Sequence, residues 1–284
     1  MTAVVLLGAF PPLRLFPEPG VLRSFDPAAA GADPCRLVEL VADDLAAHGT
    51  VLALHPTWDG GAGHHLVRTV RSALASSRVV PVATSLPPLA VAVLGAQLAA
   101  IAPYLPGPGP LVPGVDLLGS RLAVGAWTSS VSRLERPSPS LGQHLRSWWP
   151  RSRFVVTVQP GPRVELIRRR RPFDAAGWAV PGPSLAVLAS GGGDTGWLHE
   201  VVLPVVLAER VVETGPSPLG PRWWGAPRLV ELVGCGADPA MAAAELVVAF
   251  PCSACGWCGE PISGPSCPLC RMAPTPLPTL RSVA

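Results

Sequence analysis

The stretch TVLALHPTWDGGAGHHLVRTVRSALAS, residues 50–76, decides the reading of this chain. Thr50 to His55 is an apolar run of strand length, and Pro56 to Gly63 is turn chemistry built from Asp59 and glycines. From His64 to Ser76 the apolar residues Leu66, Val67, Val70 and Leu74 recur at helical spacing, with Arg68 and Arg71 on the other side. Strand, glycine-rich loop and helix in this order make a β-α unit. Similar units flank it. Ala3 to Phe10 reads as a buried strand, and Asp33-Pro34 as a cap followed by proline at the first helical position. The helix Cys35 to His48 follows and ends at Gly49, while Val79 to Ala83 and Leu89 to Ala102 supply another strand and helix. Alternation of this kind predicts an α/β fold with a mostly parallel sheet and flanking helices.

Beyond a proline-rich link, Pro103 to Pro113, the pattern changes. Arg121 to Thr128 reads as a strand. Phe154 to Gln159 and Arg163 to Arg168 flank Pro160-Gly-Pro162, which predicts an inserted β-hairpin over 154–168. Ser184 to Ala189 leads into a second glycine-rich loop, Gly191 to Gly196, and a helix from Trp197 that Pro204 distorts. Arg228 to Val233 is a further strand, and Asp238-Pro239 repeats the cap signal for a helix to Val248. The expected organisation is an α/β region over 1–115, a second over 116–250, a cysteine-rich module over 251–271 and a disordered tail over 272–284. Whether the first two share one sheet is open at this level.

Composition narrows the chemistry. All 22 basic residues are arginine, which excludes a P-loop lysine, a Schiff-base lysine and a Ser–Lys dyad. Charged residues are only 14% of the 284, so the chain is not of the disordered class. The net charge of +3 is uneven: Arg146 to Arg171 holds eight arginines against Glu165. Residues 79–115 carry no charge, but prolines divide them and the longest proline-free piece, Leu89 to Ala102, falls short of the roughly 20 residues a membrane span needs. The N-terminus lacks a basic signal-peptide region, so a cytoplasmic protein without a membrane span is expected.

The chain's firmest chemistry is near its end. Cys255-Gly-Trp-Cys258 and Cys267-Pro-Leu-Cys270 are two Cys-x-x-Cys turns, each aiming two thiolates at one point, as tetrahedral Zn²⁺ requires. Cys252 is an alternative ligand, because Cys252-Ser-Ala-Cys255 is also such a turn. Clustered thiols without a signal peptide argue for metal over disulfides. Over residues 252–271 the segment resembles the short four-cysteine zinc-ribbon modules of bacterial proteins, departing from them at Arg271, where a second glycine is common. Such a closed site binds zinc structurally and leaves no position for a substrate.

Two weaker constellations remain. His55, Asp59, His64 and His65 surround the first glycine-rich loop, where α/β proteins place ligands, and could serve a hydrolase-like reaction. Arg151, Arg153, Arg163 and Arg168, Arg169, Arg170 and Arg171 interleave with Trp148, Trp149 and Phe154, a composition suited to nucleic acid. No reaction signature accompanies either. The sequence-based expectation is therefore a non-catalytic binding or assembly protein, whose ribbon and hairpin dock onto another protein or a macromolecular complex. Nucleic-acid binding and hydrolase-like chemistry are the alternatives, and the oligomeric state is open.

Overall fold

The computed structural model describes residues 1–272 except 12, 18–19, 30–31, 150–151 and 168–176. In the first half, β1 (Thr2–Leu7), β2 (Leu22–Phe25), β3 (Thr50–Pro56) and β4 (Val79–Thr84) form a wholly parallel sheet in the order β2-β1-β3-β4. Crossover helices α1 (Pro34–His48) and α2 (Ala62–Ala73) lie on one face, where Leu37, Val41, Val67 and Val70 pack on Val5, Val51 and Val79. The Asp33 carboxylate accepts from Cys35 N at 2.9 Å, and Gly49 closes α1 in the left-handed region, as the Asp-Pro and glycine signals predict. Both the α/β class and the parallel sheet follow the alternation.

The opposite face of this sheet is covered by α3 (Pro88–Ile101), of which every residue is buried. A helix apolar all round must be enclosed on every side. α3 lies between the parallel sheet and a second, six-stranded one, alongside α4 (Leu111–Ser120). Its approach to β1 is so close that a Cβ on Gly95 would stand 2.5 Å from Leu6 Cδ2. α4 begins inside the proline-rich link: Pro113 sits in its first turn, where a missing N–H leaves no bond unmade.

The second sheet comprises β5 (Ala123–Thr128), β6 (Phe154–Gln159), β7 (Arg163–Leu166), β8 (Ser184–Gly191), β9 (Arg210–Thr214) and β10 (Leu229–Gly236), in the order β7-β6-β5-β10-β8-β9. Its strand pairs are antiparallel except β8 with β9, and it is separate from the first sheet. A short helix α5 (Leu141–Arg146), capped by Ser140, precedes β6. Side chains alternate faces along a strand. Leu185 and Val187 on β8, and Val233 and Cys235 on β10, therefore join the α3 core. Ala186, Leu188, Val230 and Leu232 face the other way, onto Leu198, Val202 and Val206. Leu198 and Val202 lie in a π-helical turn (Leu198–Val202) and Val206 in α7 (Leu203–Val206), which with α6 (Thr195–Trp197) make the distorted helix that Pro204 predicts. α8 (Gly220–Trp224) and α9 (Pro239–Ala249) complete the body. No helix of the described residues is long and apolar enough to cross a membrane.

The strands β11 (Ser253–Ala254) and β12 (Pro261–Ile262) form the ribbon. It is no free appendage. Cys255, Ile262, Cys267 and Leu269 are all at most 2% exposed and belong to the same core cluster as α3. Residues 107–109 press on β12 so tightly that a Cβ on Gly109 would lie 2.4 Å from Pro261 O. Arg78 pairs with Glu260 at 2.6 Å.

Candidate functional site

The first glycine-rich loop closes as a helix cap. Asp59 accepts from Gly61 N at 2.8 Å through one carboxylate oxygen and from Gly63 N at 2.7 Å through the other. Both oxygens are thereby committed to the α2 N-terminus. Gly63 is required there, because its Cβ would stand 2.6 Å from His55 Cβ. His55 is buried at the end of β3, its ring edge-on to His64 at 5.6 Å, and burial pushes its pKa down from the ordinary imidazole value. His65 is exposed. Asp59→Ala is expected to lower stability by about 1 kcal/mol, the usual loss for an N-terminal cap, which a urea titration would measure. An unchanged midpoint would contradict the capping role. In the second loop Asp194 likewise accepts from Trp197 N at 3.0 Å, and His199 pairs with Glu213 at 2.8 Å.

Among the described arginines of the basic stretch, Arg153 lies over the Trp127 ring at 5.6 Å and Arg163 pairs with Glu165 at 3.2 Å. Arg151 and Arg168 to Arg171 lie outside the described residues. Trp148 and Trp149 are exposed rather than packed in the core.

Four thiols converge. The sulfurs of Cys255, Cys258, Cys267 and Cys270 lie within 4.8 Å of one another, with Cys255–Cys270 and Cys258–Cys267 each at 3.6 Å. Tetrahedral zinc with bonds of about 2.3 Å places its sulfurs about 3.8 Å apart, so the cluster fits that ion. Backbone amides of Cys258 and Trp257 pull the Cys255 thiol down to about 6, whereas burial pushes the Cys258 thiol up to about 12. Cys252 turns instead toward Ser263 Oγ, 3.1 Å away. The two knuckles repeat one geometry: Gly259 N donates to Cys255 O and Arg271 N to Cys267 O, each at 2.9 Å, with both residues at positive φ.

Two features carried no motif. The first is Glu231, the one acid in the apolar strand β10, fully buried beside the α3 N-terminus. Its Oε1 accepts from Trp224 Nε1 at 2.9 Å and from Leu89 N at 3.3 Å. Burial raises its pKa to about 7. Ser217 Oγ stands nearby and favours the charged form, but Oε2 and Ser217 Oγ have no hydrogen-bond partner among the described residues. An acid inside an apolar strand is the signal that could have found it. Trp224 is thus an internal donor.

The second is a cavity of about 500 Å³ between β1, β2 and the strap that joins them. Leu6, Leu13, Val21 and Leu22 give it apolar wall, and Arg14 and Arg23 give it charge. Its size lies within the roughly 300–1,000 Å³ usual for small-ligand sites. The strap is held against the core by Leu15 and by Gly20, whose Cβ would overlap Ala99 O of α3. Arg23 Nε lies 3.4 Å from the buried Asp44, whereas the Arg14 guanidinium has no hydrogen bond or ion pair among the described residues.

Fold and cavity together describe a two-sheet α/β protein with an open cavity beside β1 and β2. No known family model matches the chain, and no curated protein matches its sequence. Its fold does match solved structures. A fatty-acid-binding DegV family protein from Thermus thermophilus aligns with TM-score 0.58 and 14% identity over 83% of this chain and 99% of that one. A DegV family protein from Corynebacterium glutamicum gives 0.53 and 13% over 84% and 97%. The Fatty Acid Kinase (Fak) B3 protein of Streptococcus pneumoniae, loaded with linoleic acid, gives 0.51 and 14% over 84% and 100%.

These matches correct the functional expectation of a ribbon-and-hairpin assembly protein: the body shares its fold with a DegV family protein described as binding fatty acid and with a Fak B3 protein loaded with linoleic acid. Part of the ribbon's apolar surface, Ile262 and Leu269, is already buried against its own chain.

Proposed function

We propose that the chain binds a long-chain fatty acid. The observation that carries this reading is the cavity in which apolar wall occurs together with Arg14, which has no partner among the described residues, within a fold shared with a fatty-acid-binding protein. Apolar surface takes up an acyl chain, and a guanidinium fork takes up a carboxylate through paired hydrogen bonds. In this reading the four-thiolate centre holds structural zinc through Cys255, Cys258, Cys267 and Cys270, and the protein is cytoplasmic. The 1–115 and 116–250 regions serve as two halves meeting at α3.

Lipid extracted from the purified protein is expected to contain about one long-chain fatty acid per chain. After delipidation, oleate should bind saturably, and Arg14→Ala should weaken it about 10- to 100-fold, as loss of a charge-assisted hydrogen bond implies. Absence of both copurified lipid and saturable oleate binding would reject the proposal.

A further inference from the structure

A second cleft, of about 280 Å³, lies where α2 meets the later cysteine knuckle. His64, Arg68, Arg71, Ser72 and Arg271 line it, and it shares no lining residue with the Arg14 cavity. On α2 the residues 64, 68 and 71 are spaced by four and three, so they form one stripe, beside the stripe that buries Val67 and Val70. Arg271 faces them from the ribbon. We propose that this cleft is a binding site for a phosphate-type oxyanion, with Arg68, Arg71 and Arg271 as its cationic wall.

The argument begins with charge. Three arginines from two separate elements border one cleft, and no acid lines it among the described residues. Arg68 and Arg271 have no side-chain hydrogen bond or ion pair among those residues. Asp116 borders the adjoining cavity that Arg271 also touches, but forms no ion pair with it. Arg71 is anchored by donating to the Ser77 and Val79 carbonyls, so its position is fixed before any ligand arrives. Like charges held together are unfavourable unless an anion lies between them. Guanidinium groups suit phosphate because their planar forks donate paired hydrogen bonds. The Ser72 hydroxyl can add a further donor.

Backbone strain is the independent observation. Arg271 has φ +62°, and the equivalent position of the first knuckle is Gly259 at φ +73°. A side chain in this left-handed region costs about 1–2 kcal/mol. The ribbon thus tolerates strain at the one position that carries a guanidinium to the cleft. Outliers of this kind are kept where they serve a site.

The test uses the full, zinc-loaded chain at low ionic strength, titrated calorimetrically with inorganic phosphate and with glycerol phosphate. Saturable binding is expected, weakened at least about 10-fold by Arg68→Ala and by Arg271→Gly. Arg271→Gly removes the strain, so its zinc content should be unchanged and its melting temperature equal or higher; loss of binding then cannot be assigned to misfolding. Equal affinities would identify free phosphate as the ligand, and tighter glycerol phosphate a phosphoryl group on a larger molecule; both support the site. Absence of saturable binding, or binding indifferent to both variants, would overturn it. Arginines that merely offset the negative thiolate centre would instead give zinc loss in Arg271→Gly without any phosphate binding, which also overturns it.

Discussion

Replacing Cys267 and Cys270 by serine is expected to lower the melting temperature of the whole chain by on the order of 10 °C, not only to loosen its end. Ile262 and Leu269 are 1% and 2% exposed inside the cluster that also holds α3 and α4. Burying a side chain of that size stabilises by about 1.5–3 kcal/mol, so the two together contribute about 3–6 kcal/mol. The ribbon's paired strands are two residues each, so the proposed zinc centre is expected to carry much of the module's shape. Without it the apolar face leaves the body, and the surface under Pro261 is exposed. Stripping the metal with a chelator should reproduce the shift, and zinc readdition should reverse it. Acidification should act in the same direction, because the ligands bind as thiolates and protons compete for them. A zinc-free chain that melts at the native temperature would show that the ribbon is energetically separate from the body.

The second large effect is a pH dependence located at Glu231. Its folded pKa of about 7 stands above the ordinary 4.5. Between those values the folded chain keeps a proton that the unfolded chain has lost, so stability falls as pH rises through the window and levels off above about 7. The full difference is about 3 kcal/mol, from about 1.4 kcal/mol per pH unit. Glu231→Gln removes the titration while keeping an oxygen acceptor for Trp224 Nε1–H and Leu89 N–H. Its amide can donate to Ser217 Oγ, a group without a partner among the described residues. The glutamine variant is therefore expected to match the native chain near pH 4.5 and to exceed its stability by about 3 kcal/mol at pH 8. Glu231→Ala should be destabilised at every pH by about 2–6 kcal/mol, since it orphans two buried donors. Urea midpoints across pH 4.5–8, followed by tryptophan fluorescence, measure all three. Parallel curves for the native and glutamine chains would mean that Glu231 does not carry this titration.

The β-α alternation, the caps at Asp33 and Asp238 and the paired Cys-x-x-Cys turns were legible in the sequence because each is local. Helical spacing, an Asp-Pro start and a two-residue thiol spacing depend only on chain geometry over one or two turns. The charge-free stretch around Leu89 to Ala102 could be read as buried for the same reason. What enclosed it could not: the second sheet, antiparallel but for one strand pair, depends on partners far apart in sequence, such as β5 with β10. The short β2 was missed because its exposed edge, Arg23 and Ser24, lacks an apolar pattern. Asp59 illustrates the same limit within a motif. Its spacing to Gly61 and Gly63 suits both a catalytic loop and a cap, and only the direction of its two oxygens separates them. The ribbon's cysteines identified a metal module, but its role depended on where Ile262 and Leu269 were buried. The cleft at Arg271, which joins α2 to the ribbon, and the acid at Glu231, which joins β10 to α3, likewise arise from side chains far apart in sequence that meet only in the folded chain. Local spacing determines which elements form. Long-range packing determines which faces are covered, which charges lack partners, and therefore where a ligand can bind.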